Sequence, residues 1–255
     1  MILAFDIGNT NITIGGFQNN SLVFVASLST DSKCTSSEYA VRISSVLKLY
    51  NVDNKKVSGA IVSSVVPNVN NSIRSAIQFV YGIEPLFVGP GVKTGMNIHC
   101  DIPSSVGSDL ICAAVYAYSV SKRQSLIIDL STSTNITVLD KSGTFSGVCI
   151  MSGVNTSLEA LIKSTAQLPQ ISLEAPKSAV GKNTSDCMRS GAIFGSAASI
   201  DGMIDRITEE VGCEFSLFAT GVYATIIIPH CMHKINIEEN MVLQGLNLIY
   251  QKNLK

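Results

Sequence analysis

Two short polar segments of the chain have the composition of phosphate-binding turns. The first, Asp-Ile-Gly-Asn-Thr-Asn at residues 6–11, follows the apolar run 2–5, and the second, Asp-Leu-Ser-Thr-Ser-Thr at residues 129–134, follows the apolar run 126–128. Turns rich in Gly, Ser and Thr expose backbone N–H groups and hydroxyls that surround phosphate oxygens, and a neighbouring Asp can hold a hydrated Mg²⁺. One such segment alone is equally typical of an ordinary β-hairpin with a polar turn. Its repetition favours a protein that holds the phosphates of a nucleotide from two sides.

The residues after each turn repeat as well, which indicates a duplicated domain. Residues 135–138 read Asn-Ile-Thr-Val where residues 11–14 read Asn-Ile-Thr-Ile, and the two turns differ in length by one residue. A repeat of this length is typical of two related domains rather than of a solenoid. We therefore predict an N-terminal domain over 1–118 and a C-terminal domain over 119–255, each opening with a β-hairpin.

The elements that position these hairpins alternate between strands and helices. Hydrophobic periodicity and Pro or Gly boundaries define them. In the first half they are strand 59–66, helix 68–80, strand 85–88 and helix 105–118, and in the second half strand 144–150, helix 156–165, helix 186–211, strand 215–219 and helix 242–251. This mixture predicts an α/β fold with a nucleotide cleft between two similar halves.

The composition excludes several classes of protein. Only 15% of the 255 residues are charged, against roughly 25% in an average protein, and 46% are hydrophobic, so the chain is not disordered. Eighteen Lys and Arg against nineteen Asp and Glu give a net charge of -1 without a basic run, which argues against nucleic acid as a partner. A surface this poor in charge also predicts that another subunit covers part of it.

The sequence has no feature of a membrane or secreted protein. The first apolar run meets Asp6 too early for a signal peptide, and no apolar run approaches the roughly 18 residues of a membrane span. The seven cysteines are scattered without a Cys-x-x-Cys pair, as in reduced proteins of the cytoplasm, where we expect this protein. The spacing of His230 and His233 is compatible with a metal site, but a structural zinc site usually needs four ligands and the sequence offers two here. A polar turn after Pro229 is therefore the better interpretation.

Seven segments, in order along nearly the whole chain, resemble the type III pantothenate kinase family. They are residues 6–11, 63–67 (Ser-Ser-Val-Val-Pro), 89–95 (Gly-Pro-Gly-Val-Lys-Thr-Gly), 106–109 (Val-Gly-Ser-Asp), 168–169 (Leu-Pro), 181–184 (Gly-Lys-Asn-Thr) and 190–191 (Ser-Gly). The resemblance implies two ribonuclease-H-like domains of the acetate/sugar kinase, Hsp70 and actin superfamily. It also implies phosphorylation of pantothenate by ATP, the first step of coenzyme A biosynthesis. Mg²⁺, a monovalent cation (K⁺ or NH₄⁺) and a homodimer whose substrate site draws on both subunits are implied with it.

The same resemblance implies roles for individual residues. The first turn becomes the ATP site, with Asp6 near the metal ion and with contacts from Gly8, Asn9, Thr10, Asn11 and Thr13. In the second turn Asp129 becomes a cation ligand, and Thr132 contacts ATP. The pantothenate site is implied at Cys100, Gly107, Ser108, Asp109, Leu110 and Thr184, with Asp109 taking the proton of the attacking hydroxyl. An acidic residue in the first turn of a helix is also a common cap or dipole partner, and for Asp109 this alternative stays open.

Several residues depart from the family pattern. In the second phosphate motif Leu130 and Ser131 replace Phe and Gly, and a side chain at position 131 is costly if that position needs a positive φ. Leu110 replaces the Arg that usually follows the catalytic Asp, which removes a fixed cation from the substrate pocket. The remaining departures are Cys100 for a substrate-contacting Tyr, Ser105 for Glu, Ser152 for Pro, and Val222 for the second Gly of an Ala-Thr-Gly-Gly turn.

These departures leave three functions open. The first is a pantothenate kinase, with activity reduced by the departures. The second is a degenerate paralogue that keeps the dimer and the ligand cleft as a binding or regulatory protein. The third is another small-molecule phosphotransferase of the superfamily, whose pocket Cys100 and Leu110 have reshaped.

Two expectations accompany the first function. Residues 186–206 form part of a homodimer interface, because small residues such as Gly191 and Gly195 allow close helix approach. Nucleotide is expected to bind weakly and to depend on Mg²⁺ and K⁺, because few basic residues lie near either turn.

Overall fold

The computed structural model describes residues 1–254 and contains ten strands and seven α-helices in that range. In chain order they are β1 (Ile2–Ile7), β2 (Asn11–Gln18), β3 (Ser21–Ser29), α1 (Ser36–Leu49), β4 (Gly59–Ser64), α2 (Pro67–Tyr81), β5 (Leu86–Phe87), α3 (Ser108–Ser121), β6 (Ser125–Leu130), β7 (Ser133–Leu139), β8 (Phe145–Ser152), α4 (Val154–Lys163), α5 (Thr184–Val211), β9 (Ser216–Thr220), α6 (Ala224–Ile227), β10 (Asn236–Ile237) and α7 (Met241–Asn253). No helix in this range is long and apolar enough to cross a membrane.

The chain forms two compact units, whose boundaries differ from the expected 1–118 and 119–255. The first unit comprises Met1–Tyr116 and the described segment from Met241 onward, and the second comprises Ala117–Asn240. Helix α7 therefore belongs to the first unit rather than to the C-terminal domain. The reason is its apolar face, since Leu243, Leu246 and Ile249 are buried in one cluster with residues of β1, β2 and β4.

The two units contain the same sheet, which explains the sequence repeat. The first sheet has the order β3-β2-β1-β4-β5, and the second has the order β8-β7-β6-β9-β10. In each sheet the central strand, β1 or β6, pairs antiparallel with the next strand in sequence and parallel with β4 or β9. The predicted duplication of an α/β domain is therefore confirmed.

In both sheets the two faces of the central strand carry different residues. Leu3, Phe5 and Ile7 of β1 belong to a core cluster with α1 and α2, whereas Ala4 belongs to the cluster with α3 and α7. Since side chains alternate along a strand, Asp6 lies on the same face as Ala4. In β6, Leu126, Ile128 and Leu130 belong to the cluster with α5 and α6, so Asp129 lies on the opposite face.

Most predicted elements are present, and the differences have local causes. Helix α3 begins at Ser108 rather than at 105, because Pro103–Ser105 forms a separate 3₁₀ turn. Strand β3 and helix α1 lie in a region for which no element was predicted. Their signals are an alternation of buried residues in β3 and a capping box at the start of α1, in which Thr35 and Glu38 bond each other's backbone.

Candidate active site

The first polar turn is held by hydrogen bonds of its own backbone and of β3. The Gly8 amide donates to the Asn11 carbonyl at 2.9 Å, which closes the turn. Thr30, just after β3, donates its amide to the Thr10 carbonyl at 2.9 Å and its hydroxyl to the Gly8 carbonyl at 2.7 Å. Asn9, Thr10 and Asn11 remain exposed at the tip. The turn is therefore ordered, and it presents amide and hydroxyl groups outward.

Asp6 stands in a row of polar side chains at the end of the first sheet. The register pairs Asp6 with Thr13 of β2 and with Ser63 of β4. Directly paired residues point to the same face of a sheet. The row therefore faces α3 together with Ala4 and Ile61.

The start of α3 is tied to the end of β4 by a single hydroxyl. The hydroxyls of Ser108 and Ser63 lie 2.9 Å apart, and the Ser64 amide donates to the Ser108 hydroxyl at 3.0 Å. Ser63 is completely buried. This network fixes the first turn of α3, and with it Asp109, relative to the strand beside Asp6.

Asp109 is a buried carboxyl at the start of α3. Its Oδ1 is buried and has no hydrogen-bond partner within the described chain. Burial raises the pKa of Asp109, while the backbone N–H groups of Leu110 and of Asp109 itself act against that rise. At Gly107 a Cβ would overlap Oδ1, so the glycine leaves room for the carboxyl. An unsatisfied buried oxygen costs about 1–3 kcal/mol, which a hydroxyl donor of a substrate would recover.

The charges of Asp109 and Asp6 both act on one buried thiol. Cys112 lies one helical turn after Asp109 and is fully buried. Burial first, and then the charges of Asp6 and Asp109, hold the pKa of this thiol well above its ordinary value. Both carboxylates therefore act on the same group, which brings two predicted site residues into one neighbourhood. The backbone of Cys112 also contacts Gly245 of α7 so closely that a Cβ at position 245 would overlap it.

The other predicted substrate residues of the first unit flank this cluster in the chain. Leu110, in place of the expected Arg, is only 9% exposed, so an apolar side chain occupies a buried position there. Cys100 is half-buried in the segment before the 3₁₀ turn, and its thiol is free. Ser105 donates its hydroxyl to the Ile102 carbonyl at 2.7 Å and so closes that turn.

The second polar turn is enclosed by two glycines. Gly221 has a φ of +94° and lies against Asp129, since a Cβ there would stand 2.6 Å from Asp129 Oδ1 and would overlap the Leu130 carbonyl. Gly153 lies against the turn itself, where a Cβ would stand 2.5 Å from the carbonyl oxygens of Ser131 and Thr132. The Thr132 carbonyl also accepts a 2.7 Å hydrogen bond from the Thr156 hydroxyl.

Two departures from the family pattern cause no backbone strain. Among residues 1–254, the non-glycine residues with a positive φ are Asn19, Asn20, Asn51 and Lys122. Ser131 therefore has an ordinary backbone, and the cost considered for a side chain there does not arise. Val222 is 67% exposed, and the positive φ of its turn is at Gly221, which the chain retains.

The sequence analysis missed Asn135, which faces Asp129 across the sheet. The register pairs Asp129 with Asn135 of β7 and with Thr220 of β9. Asn135 is 7% exposed, and its Oδ1 is buried without a hydrogen-bond partner in the described chain. The sequence repeat aligns Asn135 with Asn11, but the register places Thr13 opposite Asp6, so the counterpart of Asn135 in the first hairpin is Thr13. The repeat in the sequence therefore did not reveal this pair.

Thr184, the predicted substrate residue of the second unit, lies at an apolar pocket. It is the first residue of α5, and the Asn183 side chain caps that helix by accepting from the Asp186 amide at 2.9 Å. The pocket has a volume of about 630 Å³ between α4, α5 and the ends of β7 and β8. Its lining includes Thr184, Leu158, Leu161, Gly191 and Gly195.

The two spaced histidines make contacts of their own. His233 Nε2 lies 2.8 Å from Asp205 Oδ1, and the His230 ring packs edge-on against Phe194. Within residues 1–254 no group of three or more His, Cys, Asp and Glu side chains is arranged to hold a metal ion.

Comparisons with known proteins agree with this architecture. A type III pantothenate kinase from Exiguobacterium sp. is 38% identical over 255 residues, which is 100% of both chains. The structure of a protein described as a Baf family transcriptional activator from Campylobacter jejuni superposes with a TM-score of 0.60 at 17% identity, covering 98% of each chain. MreB 5 of Spiroplasma citri bound to AMPPNP superposes with a TM-score of 0.56 at 10% identity, covering 98% of this chain and 96% of that one. These structural likenesses show that the chain shares the α/β fold of these two proteins.

The family model for type III pantothenate kinase matches residues 2–206, a range that contains both polar turns, the Asp109 cluster and most of α5. With this match and the full-length identity to a curated relative, the chain belongs to the type III pantothenate kinase family.

Proposed function

We propose that this protein transfers the γ-phosphoryl group of ATP to the primary hydroxyl of pantothenate. Membership of the family supports the substrates. The observation that carries the proposal is the unpartnered, buried Oδ1 of Asp109, near the polar row that contains Asp6. The reaction commits the cell to coenzyme A biosynthesis and produces 4'-phosphopantothenate and ADP.

Asp109 acts as the general base of this reaction. Its Oδ1 accepts the hydrogen of the pantothenate hydroxyl, and the proton moves to the carboxyl as the new O–P bond forms and the bond to ADP breaks. A pKa raised by burial makes the carboxylate a stronger base, as long as it is ionised at the working pH. The alternative role of Asp109 as a helix cap leaves its buried Oδ1 unexplained.

The first turn binds the phosphates of ATP. Its exposed tip offers the side chains of Asn9, Thr10 and Asn11, and its backbone is already ordered by Thr30. Asp6, with Gly8 and Thr13 beside it, fits a Mg²⁺ that takes one carboxylate from the protein and its other oxygens from phosphate and water. When bound, Mg²⁺ neutralises charge that develops on the transferred phosphoryl group.

The second turn provides Thr132 for ATP and Asp129 for a monovalent cation. Thr132 is exposed on a turn whose carbonyl is held by Thr156, so its position is fixed. Asp129 lies on a face that also carries the unpartnered oxygen of Asn135, a donor set of one carboxylate and neutral oxygens. Such a set fits K⁺ or NH₄⁺.

Cys100, Ser108 and Leu110, with Gly107, bound the pantothenate site, and Thr184 reaches it from a second copy of the chain. The protein is a homodimer in which the exposed face of α5 takes part. Gly191, Gly195 and Ala198 are exposed there, whereas Ile193 and Ala197, also expected at the interface, are buried in the core of their own unit. The apolar lining of the adjacent pocket, with Leu161 46% exposed, supports a partner surface.

Light scattering tests the dimer. The wild-type chain is expected to show twice its own mass, and Gly195→Glu half of that, because a Cβ at 195 meets nothing within 4 Å in its own chain, while a Glu side chain there would stand in the interface. Gly147→Glu, at another glycine with nothing within 4 Å, is the control and should remain dimeric. A monomeric wild-type protein would contradict the proposal.

The cytoplasm is the proposed location. All seven cysteines are free thiols in the structure, which suits a reducing compartment.

The kinase activity is tested by ³¹P NMR of purified protein with ATP, Mg²⁺ and pantothenate. At constant ionic strength, K⁺ or NH₄⁺ is compared with tetramethylammonium. We expect equal amounts of ADP and 4'-phosphopantothenate, with faster turnover in K⁺ or NH₄⁺. Release of ADP that does not require pantothenate, or no turnover at all, would overturn the proposed function.

A further inference from the structure

Asn135 is a buried amide whose side-chain oxygen the protein leaves unused. It is 7% exposed in the middle of β7, and its Oδ1 has no hydrogen-bond partner within the described chain. Leaving a buried acceptor unsatisfied is costly relative to an apolar residue of similar shape. A bound partner for the oxygen would offset that cost, and the position of Asn135 beside Asp129 indicates what kind of partner it is.

The sheet register shows where this oxygen lies. Asn135, Asp129 and Thr220 are directly paired across β7, β6 and β9. Their neighbours Ile136, Ile128 and Ala219 all belong to the core on one face, so the three polar side chains share the other face. Cβ atoms of directly paired residues are about 4.5–5.5 Å apart. The carboxylate of Asp129 and the amide of Asn135 are therefore close enough to share one ion.

Gly221 packs against the carboxylate of this pair. Its Cα lies so close to Asp129 that a Cβ would stand 2.6 Å from Oδ1. The Thr220 hydroxyl donates to the Glu239 carbonyl at 3.3 Å, so its oxygen lone pairs stay available on the same face. The surroundings are thus one carboxylate with neutral oxygens, beside a glycine at which a Cβ would overlap the carboxylate.

This donor set selects for a single positive charge. Divalent ions in proteins usually draw on several carboxylates or on substrate phosphates. The described chain has no group of three or more acidic, His or Cys side chains that could act together, and Asp129 contributes one negative charge. Neutral carbonyl-type oxygens are the ligands that replace the hydration shell of K⁺. The same oxygens accept N–H donors from NH₄⁺.

We propose that Asn135 Oδ1 is a direct ligand of the monovalent cation and, with Asp129, sets its preference for single over double charge. This inference rests on the proposed cation site and names a residue that the sequence did not indicate. Removing the oxygen should weaken K⁺ binding by at least roughly tenfold, the lower end of what an altered coordination environment costs. Asn135→Asp adds a second carboxylate and should move the preference toward Ca²⁺.

Cation binding is measured without turnover, by ²⁰⁵Tl NMR titration with Tl⁺ as the K⁺ analogue and by the thermal midpoint in KCl against tetramethylammonium chloride. Wild-type protein should bind Tl⁺ and gain stability in KCl. Asn135→Leu should be at least as stable as wild type in tetramethylammonium, because the unsatisfied oxygen is gone, but should lose the gain in KCl. Asn247→Leu is the matched control: Asn247 is 3% exposed with an unpartnered Oδ1 in the first unit, and its replacement should leave the KCl gain intact.

The possible outcomes distinguish the role of Asn135 from the existence of the cation site itself. Equal Tl⁺ affinity in wild type and Asn135→Leu would overturn the role of Asn135 while the cation site stands. No Tl⁺ binding by wild type would overturn both, and the ³¹P assay then shows independently whether the kinase function stands. If Asn135→Leu fails to fold, Asn135→Asp decides, since unchanged preference for Tl⁺ over Ca²⁺ in that variant would contradict the inference.

Discussion

The two polar hairpins share a backbone plan but differ in what stands opposite the Asp. In the first, Asp6 faces Thr13, the tip is exposed, and the start of α3 with Asp109 lies on the same side of the sheet. In the second, Asp129 faces the buried Asn135, and two glycines close around the turn. The first turn has an exposed tip, whereas two glycines pack closely against the second. Under the proposed function, the two copies of the fold divide the work, with proton transfer in the first and cation binding in the second.

The largest effect is expected at Asp109, to which the proposed function assigns proton transfer. Asp109→Asn keeps the size of the side chain but removes the proton acceptor, so kcat should fall by about 10²–10⁴-fold with nearly unchanged ligand binding. Asp129→Asn should instead reduce the increase in turnover that K⁺ produces. Steady-state ADP release at varied pantothenate and K⁺ measures both. If Asp109→Asn kept the wild-type kcat, the assignment of the base to the first unit would be wrong.

The glycine beside Asp129 gives the next effect. Gly221→Ala combines a positive φ with overlap on Leu130 and Asp129, whereas Gly82→Ala, at φ +67° with nothing within 4 Å, has the conformational cost alone. That cost is about 1–2 kcal/mol. Gly221→Ala should therefore lower the thermal midpoint more than Gly82→Ala, and only Gly221→Ala should also weaken the KCl response. Equal midpoints for the two variants would mean that the second turn is not tightly enclosed.

A smaller effect on stability distinguishes a reactive carboxyl from a structural one. Burial raises the pKa of Asp109, so the folded protein disfavours the ionised carboxylate. The contribution of Asp109 to the stability of the fold therefore falls as the pH rises from its pKa in the unfolded chain through its pKa in the folded chain. Asp140 is the opposite case. Although burial acts against it, hydrogen bonds from Ser142 and Thr144 hold the pKa of Asp140 below its ordinary value, so its contribution is lost as pH falls.

At pH 7 Asp109→Asn should therefore raise the thermal midpoint, and Asp140→Asn should lower it. Both differences should shrink as the pH approaches the ordinary Asp pKa of about 3.9. Calorimetry across this pH range makes the comparison. A lower midpoint for Asp109→Asn at pH 7 would indicate a structural cap instead of a base.

Much of the fold follows from local sequence signals. The runs of β1 and β6, each ending in Asp and a polar turn, predict the two hairpins, and Pro67 marks the start of α2. The position of α7 did not follow, because it depends on the burial of Leu243, Leu246 and Ile249 in the first unit and on the packing of Gly245 against Cys112. Tertiary contacts far apart in sequence carry that information.

The candidate site was predictable in its residue types but not in its register. Asp6, Asp109 and Asp129 stand out because each carboxylate follows a strand or opens a helix. Asn135 does not stand out in the sequence. The length of the turn and the strand register determine that it lies opposite Asp129. The tolerance of Ser131 and Val222 likewise depends on backbone angles, which a departure from a motif does not reveal.

The pH dependence of kcat/KM for wild type and Asp109→Asn tests the central claim most directly, at saturating Mg²⁺ and K⁺. Because Asp109 must be ionised to accept a proton, wild-type activity should rise with pH through a pKa above the ordinary Asp value, in the direction that burial dictates. The residual kcat/KM of Asp109→Asn should not rise with pH in this way. Its remaining pH dependence should come from the protonation of the ATP phosphates. The same acidic limb in both proteins would contradict Asp109 as the base.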